Sequence, residues 1–176
     1  MFNYNIHPLV VHFPIAFLFV YAIIKILPMS RWFPKVAWMQ IERVLLLVGV
    51  LGAFAALATG DTAERIIHPN RALVDAHSNF GSISTWIFGA MLFGEIIKML
   101  NAYLAAHLMT LENYVFVRKT LFWIERIFSN RAVSIILAVT GLVCISITGL
   151  LGGVIADGLT ADPVAPLVLK LLGISL

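Results

Sequence analysis

The residues of this sequence that could do chemistry are its histidines, and they are unevenly placed. The chain contains five: His7, His12, His68, His77 and His107. The tripeptide Ile-His-Pro occurs at 6–8 and again at 67–69, which hints at two related halves. Ionisable side chains in or beside apolar segments are costly, so they mark candidate functional sites. Imidazole can ligate haem iron or another metal ion, and it can also serve only as a hydrogen-bonding group.

The amino-acid composition indicates what class of protein contains these histidines. Of the 176 residues, 61% are hydrophobic and 12% are charged. A soluble domain is usually about 45–50% apolar and about 25% charged. The composition therefore excludes an ordinary water-soluble enzyme and a disordered chain, and twelve Lys and Arg cannot form the dense basic face of a nucleic-acid-binding protein.

Four long apolar segments predict the main secondary-structure elements of the chain. They cover about residues 8–27, 41–59, 80–100 and 132–156. Each is long enough to cross a bilayer, and each is continuously apolar rather than alternating, which indicates helices rather than barrel strands. The sequence thus predicts an all-α integral membrane four-helix bundle in which residues 1–176 form a single transmembrane domain.

The basic residues predict the orientation of these helices. Nine of the twelve Lys and Arg lie in the connections between the first and second and between the third and fourth segments, or within the three segment residues next to those connections. The excess of basic residues marks the cytoplasmic side. We therefore expect both termini on the outer, periplasmic side of a bacterial inner membrane. We also expect an interfacial cytoplasmic helix within 101–129, and an apolar segment, 164–176, that is too short to span and lies on the outer surface or against a partner.

This orientation places four of the five histidines on the outer side. His7 precedes Pro8 at the start of the first helix, and His12 lies roughly 7.5 Å deeper. The two are about 140° apart around the helix, so they are poor candidates for ligands of one ion. Histidines at similar depth on two facing helices can hold one cofactor. His12 and His77 are the predicted axial ligands of a haem b, and His7 and His68 could form a second pair, accept hydrogen bonds, or bind the haem propionates when protonated.

Other interpretations of the histidines remain open. Four of them, with nearby carboxylates, could hold zinc, copper or iron, or they could be hydrogen-bonded groups at a membrane interface. Small residues recur four apart in the second, third and fourth segments, which favours close helix packing or room for a flat cofactor. The single cysteine, Cys144, excludes an internal disulfide and is expected to be a packing residue, and the absence of Cys-x-x-Cys-His excludes covalent haem attachment.

The N-terminal block Ile-His-Pro-Leu-Val-Val-His-Phe-Pro-Ile-Ala, residues 6–16, resembles the opening of a bacterial family of predicted four-helix membrane proteins of unknown function. Gly60-Asp61, at the end of the second segment, and His77, before the third, also fit that family's pattern. The resemblance covers about the first hundred residues. Relatives fused to c-type cytochrome or Rieske-type domains imply redox work in the membrane, by association only.

The sequence thus favours a membrane-embedded b-type cytochrome-like electron carrier with its site near the outer face, rather than a catalyst. The expected partners are membrane lipid and either a periplasmic cytochrome c or a quinone, with other membrane subunits or further copies of the chain also possible, and no nucleic acid. The alternatives are a non-haem metal-binding membrane protein and a cofactor-free accessory subunit of a larger membrane complex. No known catalytic motif supports an enzyme.

Overall fold

A computed structural model describes residues 6–67, 70–107 and 115–175. His68, one of the predicted site residues, lies outside these described residues. The helices, in chain order, are α1 (His7–Ile26), α2 (Met29–Trp32), α3 (Trp38–Ile67), α4 (Arg71–His107), α5 (Val115–Ser129), α6 (Arg131–Asp157) and α7 (Ala165–Leu171), with a 3-10 turn at Leu159–Ala161.

Four of these helices are long and apolar enough to cross a membrane. They are α1, α3, α4 and α6. The described residues contain no strand. The prediction of an all-helical protein with four helices able to span a membrane is therefore confirmed. The helices α3 and α4 extend well beyond their apolar segments. Hydropathy predicts only the apolar part of a helix, whereas the backbone hydrogen bonds continue into the polar residues that follow.

The four long helices run up and down in a closed ring. The helix α1 packs against α3 and α6, and α4 packs against the same two helices. Therefore α1 and α4 run in the same direction on one diagonal of the bundle. We call the end where α1 and α4 begin and α3 and α6 finish the histidine end, and the opposite end the basic end.

The diagonal between α1 and α4 forms the centre of the core. Tyr21 of α1 and Phe88 of α4 are buried, with ring centres 6.1 Å apart in an edge-to-face arrangement. Gly141 of α6 leaves room for this contact, since a Cβ there would lie 2.7 Å from the tip of the Phe88 ring. Apolar side chains including Leu18, Leu46 and Ile145 complete the cluster.

Helix α1 approaches α3 closely through glycines. A Cβ at Gly49 would lie 2.6 Å from the Leu18 side chain, and one at Gly52 would lie 3.2 Å from the Pro14 ring. Pro14 is buried and lies inside α1, which continues through it. The small residues of α3 thus serve helix packing here, as small residues in membrane helices commonly do.

Ion pairs join α1, α3 and α4 at the basic end. Lys25 pairs with Glu42 at 2.8 Å, which links α1 to α3. Glu95 pairs with Lys98 at 2.6 Å and with Arg43 at 3.6 Å, which links α4 to α3. These side chains are 16–34% exposed, so the pairs fix the relative position of three helices where the bundle ends.

Two shorter helices cover the ends of the bundle. At the basic end α5 packs against α4, where the Asn101 amide donates to Glu125 at 2.6 Å and Gly94 contacts the Phe128 ring. At the histidine end α7 packs against α6, and Leu169 is buried with Leu151. The apolar C-terminal segment therefore covers part of the bundle itself.

Candidate functional site

His7 is the first residue of α1, where Pro8 suits the first turn of a helix. Its ring points into the bundle and is half-buried. Its Nδ1 lies 2.9 Å from the hydroxyl of Thr59 on α3. That hydroxyl donates to the Ala56 carbonyl, so it must accept from His7, and Nδ1 of His7 is the donor.

His77 lies two turns into α4 and is also half-buried. Its Nδ1 lies 3.0 Å from the backbone carbonyl of Thr148 on α6. A carbonyl can only accept, so Nδ1 of His77 is again the donor. Gly152, one turn further along α6, allows this approach, because a Cβ there would lie 3.1 Å from Cε1 of His77.

The two histidines meet across the diagonal of the bundle. Their ring centres are 6.4 Å apart and the ring planes are inclined by 79°. Each imidazole is held by the helix that pairs with its own, α3 for His7 and α6 for His77. In each helix pair, α1–α3 and α4–α6, the second helix thus supplies the hydrogen-bond acceptor for a histidine of the first.

His12, the other predicted axial ligand, lies away from this pair. His12 is on the exposed face of α1, and its Nδ1 contacts the Pro8 carbonyl of its own helix. His68 lies outside the described residues, and nothing is described of the His107 side chain. Asp75 and Asp157, at the histidine end, are exposed. The structure brings His77 together with His7, where the sequence had paired it with His12.

The hydrogen bonds of His7 and His77 select one tautomer for both rings. With the proton on Nδ1, the basic lone pair of each neutral ring is on Nε2. Histidines that ligate metals commonly donate their other ring nitrogen to a backbone carbonyl or a similar acceptor, which fixes the ring and makes the ligating nitrogen more basic. The two rings therefore have hydrogen bonds of the kind that commonly support metal-ligating histidines.

The donor set limits what the pair could hold. Within residues 6–67, 70–107 and 115–175, no group of three or more His, Cys, Asp or Glu side chains is arranged to hold a metal ion. Among the described residues, the metal-ligating groups at this site are thus the two imidazoles of His7 and His77. Two imidazoles suit a haem iron, whose other four ligands belong to the porphyrin itself.

Three residues that position the pair were missed by the sequence analysis. Thr59 could have been noticed as a hydroxyl on α3 near the level of His7. Thr148 acts through its backbone carbonyl, which no residue type reports. Gly152 lies in a helix with several glycines, so only the position of the His77 ring distinguishes it.

Comparison with known proteins gives a family and no activity. A family model described as predicted membrane protein (DUF2231) matches residues 3–161, which include both histidines of the pair. No curated protein and no solved structure matches the chain. The matched region contains all four membrane-spanning helices. The chain therefore belongs to the DUF2231 family of predicted membrane proteins, whose function is unknown.

Proposed function

We propose that this protein is a membrane-embedded b-type cytochrome-like electron carrier in which His7 and His77 would hold one haem. The observation that supports this most directly is the 6.4 Å separation of two imidazoles that both carry Nδ1 hydrogen bonds. Haem b supplies a reversible one-electron couple when two histidines ligate its iron. No catalytic role is proposed for either residue.

The separation of the two rings is close to what one shared metal ion would need. With metal–nitrogen bonds of about 2 Å, an ion held by both imidazoles needs ring centres about 5–6 Å apart, and the observed separation is 6.4 Å. The donor set favours haem over structural zinc, because zinc takes four protein ligands and the described residues offer two imidazoles, which would suit a haem iron.

The surroundings of the pair support ligation as well. Thr59 and the Thr148 carbonyl hold the rings in place, so little rotamer freedom is left to lose on binding. Gly152 and Gly60 line the two rings with no side chain of their own. His7 and His77 would hold the haem iron through Nε2, and the hydrogen bonds at Nδ1 would keep the two rings in place.

Both histidines lie at one end of the bundle. By the distribution of basic residues we place that end at the outer face of a bacterial inner membrane, with the helix α5 in the opposite interface. An electron carrier at one face exchanges electrons along the membrane or with a soluble acceptor, and it does not carry them across the bilayer. A quinone or a periplasmic cytochrome c would be the natural partner.

A difference spectrum of the purified protein, expressed with sufficient haem, tests the ligation. We expect sharp reduced-minus-oxidised haem bands that disappear in His7→Ala and in His77→Ala. His12→Ala is the matched control, because it removes an exposed histidine from the same helix as His7. It should keep the bands. Size-exclusion profiles of all variants show whether each remains folded.

Other outcomes would identify the alternatives. Stoichiometric zinc, copper or iron without haem bands, lost in the His7 and His77 variants, would indicate a non-haem metal site. Neither haem nor metal in the wild-type protein would refute the cofactor altogether and leave an accessory subunit. Haem bands lost in His12→Ala but kept in His7→Ala would refute the proposed pairing.

A further inference from the structure

A second candidate site lies at the basic end, far along the bundle from the two histidines. An open cavity of about 250 Å³ is lined there by the end of α1, by α2 and by parts of α3, α4 and α6. Four cationic side chains line it: Lys25, Arg31, Lys98 and Arg131. Glu42 is the carboxylate of the lining. The cavity therefore carries an excess of positive charge.

The two lysines and the two arginines of the cavity differ in their partners. Lys25 is paired with Glu42, and Lys98 with Glu95, so their charges are largely balanced within the bundle. Arg31 and Arg131 are exposed, and in the part of the chain that the structure describes no ion pair joins either of them to a carboxylate. The unbalanced charge of the cavity is thus that of two guanidinium groups.

The surroundings of these arginines suit a phosphate group. Guanidinium binds phosphate through two parallel hydrogen bonds, and it is less strongly hydrated than an ammonium group. Helix α6 begins at Arg131, so the positive end of its dipole lies at the cavity. Its first N–H groups already donate to the Asn130 side chain, and the Ser134 hydroxyl donates to the Phe128 carbonyl, so the hydrogen bonds to a phosphate would come from the two guanidinium groups. The volume is below the roughly 300–1,000 Å³ of drug-sized ligand sites, which fits a small headgroup better than a large molecule.

We infer that this cavity binds a phosphate group, carried by an anionic phospholipid headgroup or by free phosphate, between Arg31 and Arg131. Basic pockets between transmembrane helices bind lipid headgroups of this kind. Leu27 and Trp38 in the lining offer apolar surface beside the charged groups, as a lipid at the edge of the hydrocarbon would require. This site is independent of any cofactor at the two histidines.

Native mass spectrometry of the delipidated protein in detergent tests the inference with two lipid probes. We expect phosphatidylglycerol to be retained more strongly than zwitterionic phosphatidylcholine. Arg31→Gln and Arg131→Gln should each weaken retention about fivefold, and the double variant about 25-fold. Arg118→Gln, which removes an exposed arginine of α5 outside the cavity, is the matched control and should have no effect.

Isothermal titration with inorganic phosphate distinguishes the two sources. Phosphate binding lost in the double variant would assign the site to free phosphate, whereas phosphatidylglycerol retention without phosphate binding would assign it to a lipid. Arg31→Lys with Arg131→Lys should restore part of the affinity, which separates charge from folding. Equal retention by the wild-type protein, the double variant and Arg118→Gln, with no phosphate binding, would overturn the inference.

Discussion

Replacing Gly152 by Ala should loosen the hydrogen bond that orients His77. The new Cβ would lie 3.1 Å from Cε1 of the ring, and ordinary van der Waals contact begins at 3.4 Å. The ring must therefore move about 0.3 Å away from α6, which also carries its acceptor. The bond from Nδ1 to the Thr148 carbonyl would lengthen from 3.0 Å to about 3.3 Å, beyond the usual N–H···O range.

This change should weaken haem binding moderately. Loss of a hydrogen bond behind a ligating histidine typically costs about 10–100-fold in affinity, and a stretched bond should cost about three- to tenfold. The matched control is Gly60→Ala, because a Cβ there would lie 3.9 Å from Cε1 of His7, at an ordinary contact distance. Haem titration followed by absorbance should show weaker binding to Gly152→Ala and unchanged binding to Gly60→Ala.

A second readout does not depend on haem. In the protein without cofactor, the ¹⁵N chemical shift of Nδ1 of His77 should change in Gly152→Ala and stay constant in Gly60→Ala. Equal haem affinity of the two variants together with an unchanged Nδ1 shift would refute the close-approach argument. Weaker binding to Gly60→Ala than to Gly152→Ala would refute it as well.

Three further predictions concern the acceptors, the core and the ion pairs. Thr59→Val removes the hydroxyl that accepts from the α1 histidine and should lower the haem affinity about 10–100-fold. Its control, Thr148→Val, keeps the backbone carbonyl and should leave the haem affinity measured by titration unchanged. Gly141→Ala forces a Cβ against the buried phenylalanine of α4 and should destabilise the protein by about 1–3 kcal/mol. Its control is Gly89→Ala, where a Cβ would have no atom within 4 Å and the change should be neutral or stabilising. Thermal unfolding in detergent compares the two variants, and equal melting temperatures would contradict the packing described here. Glu95→Gln removes one charge from pairs with a lysine and an arginine and should lower stability by about 1 kcal/mol at low salt and less at high salt, so a salt-independent loss would point to packing instead.

The sequence by itself determined the class of protein and the number of spanning helices. Apolar segments such as 8–27 and 132–156 are long enough to cross a bilayer, and in lipid only a closed hydrogen-bonded structure such as a helix satisfies the backbone. It also singled out the histidines, because ionisable groups are conspicuous among apolar residues. The ends of α3 and α4 were not determined, since hydropathy changes before the helices finish.

The pairing of the histidines was decided only by the tertiary structure. Depth along a helix is readable from sequence, and it had matched His77 with His12. Which side of α1 faces the bundle depends on how α1 packs against α3 and α6, and that packing turns His7 inward and leaves His12 exposed. The hydrogen bond of His77 to a backbone carbonyl of another helix has no sequence signal at all, because every residue has a carbonyl and only the fold brings one within 3.0 Å.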